Sequence, residues 1–262
     1  MSGGVELLVA GLVVVLGAAA FGMKRDASRR KENRSDSQSA IEGLAAELAL
    51  RPIVVADPVI AFPPSLRATR NSEKAIRRDQ KKRRGAFARG WEGCLNGATP
   101  LEIYCADFYG YIQPTASGSD HDDGGQWMLH QLARVRLTDH NPPAMRLIVG
   151  ADGDFGSVFG DGWYRRDRLL GTSPIKLDLG RRSKHEVHCS RNSDRTAMRA
   201  LLTPAFVDWL DLVNRSMRFE LIDGILDGFE HALRTERLPS VTPLVEATYQ
   251  LAVFVSSAID RT

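Results

Sequence analysis

The sequence predicts an α+β fold with a largely antiparallel sheet and packed helices, behind a single N-terminal transmembrane helix. Three observations lead there. Residues 7–23, LLVAGLVVVLGAAAFGM, run seventeen positions without a charge and are followed by a basic stretch. Residues 101–149 and 184–232 contain runs rich in β-branched and aromatic side chains, one pair of them joined by Asp223-Gly224. Helical spacing with capping residues appears in 194–213 and again from residue 242. The chain has 262 residues, 43% hydrophobic and 26% charged, which excludes a disordered protein. Three cysteines exclude a disulfide scaffold.

A helix from Val5 to Met23 spans roughly 28 Å, close to the thickness of a hydrocarbon core. A signal peptide carries its positive charge before the apolar run. Here MSGG precedes it without Lys or Arg, and residues 24–34 bring six basic and two acidic side chains after it. Ala18-Ala19-Ala20 resembles a small-residue cleavage site, but the charge lies on the wrong side for one. The positive-inside rule places the N-terminus outside and the remainder in the cytoplasm.

Charge is segregated along the chain. Residues 24–90 carry seventeen basic and eight acidic side chains, and residues 91–262 carry eighteen and twenty-three. The densest block, Lys74 to Arg89, holds eight basic residues in sixteen positions. Beside a membrane anchor such residues are attracted to anionic headgroups, each contributing about 1 kcal/mol when close. The candidate contacts are Lys24, Arg25, Arg77, Arg78, Lys81, Lys82, Arg83 and Arg84. A solvated helix face, an acidic partner or nucleic acid would use the same charges. No aromatic residue interleaves them from Lys74 to Arg84, which disfavours a single-strand binder.

Element by element, residues 24–39 are expected to be a linker or a continuation of the anchor helix. Ile41, Leu44, Ala45 and Leu48 predict a short amphipathic helix over 39–50, closed by Pro52. Asp57-Pro58 and Pro63-Pro64 mark an extended passage, and a helix is expected from Ser65 to Arg89. Strands follow at 101–112, at 127–137 and at 145–149. In the second, Trp127, Leu129, Ala133, Val135 and Leu137 form one apolar face interrupted by Gln131. Gly150 to Gly162, with five glycines, is expected to be a loop. KHEVHCS (184–190) is a strand, Asp194 caps a helix, and Thr203-Pro204 caps the next as far as about Val213. Residues 217–222 and 225–232 form a hairpin whose Asp-Gly suits a type I′ turn. Thr242-Pro243 opens a last helix with Leu244, Thr248, Leu251 and Val255 on one stripe. The domains are therefore expected to be the anchor (1–23), a basic juxtamembrane segment (24–90) and an α+β domain (91–262).

From about Gly153 on, GDFGSVFG, then a short strand, HEVHCSRNSDRTAMRALLTPAFVDWL and RFELIDGILDGF follow one another. This order resembles a family of uncharacterised bacterial membrane-anchored proteins built on a domain of unknown function, over roughly residues 91–260. Val187, Ser190 and Asp194 match its strand-to-helix passage, and Leu202-Thr203-Pro204 its turn. Cys189 departs from the pattern. The resemblance implies a cytosolic α+β domain on membrane helices and assigns no activity to any residue.

His185-x-x-His188-Cys189 is the best metal candidate, but residues three apart in a strand point to opposite faces, so only Glu186 and His188 share one. Further ligands would have to be Cys94 or Cys105. Surface histidines beside a buried cysteine are the plainer expectation. Ser119-Asp120-His121-Asp122-Asp123 groups a histidine with three carboxylates in a loop. The glycine-rich stretch after Gly150 lacks the Gly-Lys-Ser/Thr end of a phosphate loop. No cofactor is expected. The chain is thus expected to be a non-enzymatic interaction module at the inner face of the membrane, with lipid and a protein as partners. The alternatives are a tethered hydrolase using His121 or His185/His188, and a tethered nucleic-acid binder acting through 74–89.

Overall fold

The computed structural model describes residues 28–29, 31–65, 87–111, 125–137, 145–151, 169–171, 173–233 and 240–261. The apolar run 7–23 and all eight candidate headgroup contacts lie outside these residues, as do the loop around His121 and most of the glycine-rich stretch. Among the described residues no helix is long and apolar enough to cross a membrane.

Nine strands form one fully antiparallel sheet: β1 (Arg51–Ile53), β2 (Phe87–Leu95), β3 (Thr99–Tyr111), β4 (Gly125–Arg136), β5 (Leu147–Ala151), β6 (Ile175–Lys176), β7 (His185–Cys189), β8 (Arg218–Ile222) and β9 (Ile225–Leu233). Their spatial order is β1-β2-β3-β4-β9-β8-β5-β7-β6. Among the described residues four α-helices accompany them: α1 (31–47), α2 (Arg195–Leu201), α3 (Pro204–Leu212) and α4 (Val241–Ile259). The expected α+β class with an antiparallel sheet is what forms.

One face of the sheet carries the larger core. Leu101, Ile103, Ala133, Val135, Leu147, Val149, Val187 and Leu226 pack there against Ile41 and Leu44 of α1, Met198 of α2, Phe206 of α3 and Leu251 of α4. The predicted stripe of α4 is the buried one, with Leu244, Thr248, Leu251 and Val255 all free of solvent. Helix α4 approaches β9 so closely that a Cβ built on Gly228 would lie 1.9 Å from Thr248 Oγ1. The opposite face is covered by the segment 54–65, whose Val59, Ala61 and Phe62 pack on Tyr104, Leu132 and Phe229.

Turn chemistry behaves as the sequence predicts. Asp223 and Gly224 both have positive φ, 52° and 78°, as a type I′ hairpin requires. Asp194 accepts from the amides of Thr196 and Ala197, and Thr203 Oγ1 accepts from Phe206.

Several expectations are corrected. The helix predicted through Arg89 is a strand in its last three positions, because Phe87–Leu95 pairs along its whole length with β3. Helix α1 starts earlier than residue 39 and ends at 47, not at 50. Ala49 takes a left-handed conformation (φ 53°), and Leu50 N–H donates to Ala45 C=O at 2.7 Å while Ala49 N–H donates to Ala46 C=O, a Schellman closure without glycine. Helix α4 begins at Val241, one residue before Thr242. Gly150 and Ala151 belong to β5 and not to a loop. Asp57-Pro58 caps a short 3-10 turn, Pro58–Ala61, where an extended passage was expected. Strand β4 is buried on both faces around residues 130–135, not on one. The described residues of the expected juxtamembrane segment are not separate from 91–262: β1 pairs with β2, and Ile41, Leu44, Ala45 and Leu50 share the larger core.

Candidate functional site

Across the face covered by 54–65, register aligns one residue from every strand. The row reads Arg51, Glu92, Glu102, Arg134, Asp227, Glu220, Ile148, His188 and Lys176. All but Ile148 are ionisable. Strand geometry places directly opposed side chains about 5 Å apart, so each charge meets its neighbours on the adjacent strands.

The centre of the row is buried. Arg134 donates from Nε to Asp227 Oδ1 at 2.7 Å and from Nη2 to Asp227 Oδ2 at 2.9 Å, a bidentate pair. Its Nη1 donates to Ile60 C=O at 3.0 Å. The guanidinium also lies 5.6 Å from the centre of the Tyr104 ring. Next along the row, Glu220 accepts from the Ser65 amide at 3.0 Å. Two side chains of the row thus grip the backbone of the covering segment at Ile60 and Ser65. Between those points Phe62 stacks on buried His130, with ring centres 5.2 Å apart.

Glu102 links this centre to solvent. Tyr104 O–H donates to it at 2.7 Å and Arg136 Nη2 at 2.7 Å. Burial pushes the Glu102 carboxyl up, but the Tyr104 hydroxyl, Arg136 and Arg134 together hold it below the usual carboxylate range. Burial and the adjacent carboxylate raise the Tyr104 phenol. Burial opposes the charge on Arg134, and Asp227 more than restores it, so the guanidinium stays ionised. Perturbed groups often mark active sites, but structural ion-pair networks perturb them too. In this one Arg134, Asp227 and Glu102 are engaged by one another, by Tyr104, Arg136 and the Ile60 carbonyl, and the row is roofed by 57–65, so its chemistry is that of a clamp.

One cleft lies at the near edge, beside Leu50, Ile53 and Trp91, and two open features lie at the far edge. Between β6–β7 and α2 runs a groove of about 210 Å³, floored by Leu177, Cys189, Met198 and Leu202 and rimmed by Arg191, Arg195 and Arg199. Burial raises the Cys189 thiol, which is therefore a small apolar wall and not a nucleophile. A second cleft, about 400 Å³, lies beside Lys176, Arg181, Arg182 and Glu186. Its cations are largely spoken for: Lys176 pairs with Glu186 at 2.6 Å, and Arg181 with Asp208 and Asp211.

The metal candidate separates as strand geometry requires. His188 Nε2 is 2.8 Å from Glu186 Oε2 on one face, and His185 Nδ1 is 2.9 Å from Leu210 C=O on the other. Both histidines are buried, which corrects their expected surface position and follows from β7 lying inside the sheet. Cys105 is buried on β3 and Cys94 exposed on β2, five and six strands away from β7 at about 4.8 Å each, too far to join a centre. Among the described residues no group of three His, Cys, Asp or Glu is placed to hold a metal ion.

The direction of α1 bears on how the segments before it and before Phe87 join the sheet. Ser37 Oγ accepts from Gln131 Nε2 at 2.7 Å and lies 3.7 Å from Cys105 Sγ, at the rung that also holds Arg89. Thirteen residues on, Leu50 packs where a side chain on Gly93 would stand, 2.5 Å from its built Cβ. Helix α1 therefore advances in the same direction as β2, and its start and Phe87 lie toward the same end of the sheet.

The buried row has a weak sequence signal: charged residues at alternate positions inside otherwise apolar strands, as in Glu102-x-Tyr104 and Arg134-x-Arg136. The arginine pair at 195 and 199 has helical spacing and is legible once Asp194 is recognised as a cap. No protein-family model, no curated protein and no solved structure matches the chain.

Proposed function

We propose that the chain is a membrane-tethered, non-enzymatic interaction module at the inner face of the membrane, with residues 1–23 as its anchor and the basic residues of 74–89 as a second contact with anionic headgroups. The observation that carries this reading is the common direction of α1 and β2. The chain arrives from the apolar run at the start of α1 and returns from the basic block at Phe87, toward one end of the sheet. A chain whose apolar run and basic block both lead into the described residues from one end of the sheet can bring both to one anionic surface.

The separation of His185 from His188 supports the non-enzymatic reading over a hydrolase built on that pair, since general acid–base work needs groups within about 3 Å of a shared reactant. Flotation of residues 24–262 with liposomes tests the second contact. Binding that needs anionic lipid and fades with salt supports it, and absence of binding removes it. Retention on duplex DNA with a steep salt dependence would instead favour a nucleic-acid partner. Sidedness is read at Cys94, the exposed thiol among the three. A membrane-impermeant maleimide should label it only after the cells are lysed.

A further inference from the structure

We propose that the groove between the β6–β7 edge and α2 binds a single-chain anionic amphiphile, with the alkyl chain on the apolar floor and the carboxylate or phosphate held between Arg195 and Arg199. Arg195 and Arg199 are four apart on α2, so their side chains project from one face about 5–6 Å apart. Both are exposed, and among the described residues neither side chain forms an ion pair or hydrogen bond, whereas Arg191 beside them donates to Ser173 C=O at 2.9 Å. Arg195 stands in the first turn of α2, where the helix dipole disfavours a cation, so helix stability does not explain it. Two guanidinium groups at this spacing match the oxygens of a carboxylate or phosphate.

The floor sets the rest of the ligand. Leu177, Cys189, Met198 and Leu202 offer apolar surface, and the thiol is kept protonated by burial. At about 210 Å³ the groove is smaller than the roughly 300–1,000 Å³ that buries a drug-sized molecule. A short extended alkyl chain has the required volume and chemistry. The site uses no residue of 1–23 or 74–89, so it stands apart from the membrane reading.

The test uses the full chain in neutral phosphatidylcholine nanodiscs and a diazirine-bearing octanoate as photolabel, with its methyl ester as the uncharged control. Chain recovered free of discs is labelled in the same way, so failure of the anchor does not decide the result. The carboxylate should label peptides containing Leu177, Met198 and Leu202, and the ester about tenfold less. R195Q/R199Q should lower carboxylate labelling about tenfold, the loss of about one charge-assisted contact. Ile175→Trp, at the partly exposed floor edge, should block labelling with both arginines intact. Both variants change exposed side chains, and unaltered far-UV circular dichroism and unfolding midpoints show that they fold. Equal labelling by the ester, unchanged labelling in R195Q/R199Q, or adducts absent from these peptides would overturn the proposal.

Discussion

Arg134 and Asp227 face each other across β4 and β9 and share two hydrogen bonds, of 2.7 and 2.9 Å, with both side chains almost wholly removed from water. The pair sits mid-row in a sheet whose other face is the hydrocarbon core. Its worth lies in what it holds: the Ile60 carbonyl, and through it the segment that covers Tyr104, Leu132 and Phe229.

Removing one partner of such a pair leaves an uncompensated buried charge. Asp227→Asn should therefore cost about 3–5 kcal/mol in urea unfolding. Arg134→Met with Asp227→Leu should cost less than either single substitution, because no charge is then stranded. A double substitution as damaging as the sum of the two would contradict this account.

Glu230 is fully buried, with Ser216 Oγ donating to one carboxyl oxygen and no hydrogen-bond partner in the described residues for the other. Burial raises its carboxyl, only partly offset by Ser216 and by the charge of Arg218. A raised folded value means that the protonated form is preferred in the fold. The contribution to stability is complete below the unfolded value and is lost as pH rises through the folded one. Glu230→Gln should raise the unfolding midpoint at neutral pH and flatten its dependence above pH 4.5. Gln131, whose Oε1 also lacks a partner, is directly opposite and could accept from the new amide.

Gly228 leaves room for α4. A Cβ there would meet Thr248 Oγ1 at 1.9 Å and Phe219 Cδ1 at 3.1 Å. Gly228→Ala should destabilise by about 1–3 kcal/mol. Adding Thr248→Ala removes the clashing oxygen, so the double variant should be less damaged than the sum of the singles. Thermal melts of the four proteins provide the coupling.

Ala49 closes α1 in a conformation that an L side chain adopts at a cost of about 1–2 kcal/mol. Ala49→Gly should raise stability by about 1 kcal/mol, offset in part by the greater freedom of glycine in the unfolded chain. A loss of stability would show that the Schellman bonds at Ala49 and Leu50 are not what ends the helix.

Local signals were legible in proportion to how local the physics is. Asp194, Thr203-Pro204 and Asp223-Gly224 satisfy backbone groups within a few residues, so each was readable without knowing the fold. Asn96-Gly97, both at positive φ between β2 and β3, carries the same signature. The last three residues of the helix expected through Arg89 could not be read this way, because pairing of Phe87–Leu95 with β3 outweighs local preference.

What the sequence determined by itself is the apolar run and the basic charge after it, the α+β class, the caps and the hairpin, and the opposite facing of His185 and His188. All follow from contacts between near neighbours or from the two-residue period of a strand. The tertiary structure alone decided that Glu102, Arg134, Asp227 and Glu220 form one row, that 57–65 roofs it, and that Arg195 and Arg199 overlook an apolar groove. The row depends on register between paired strands as far apart as Arg134 and Asp227, 93 positions, which no local pattern encodes.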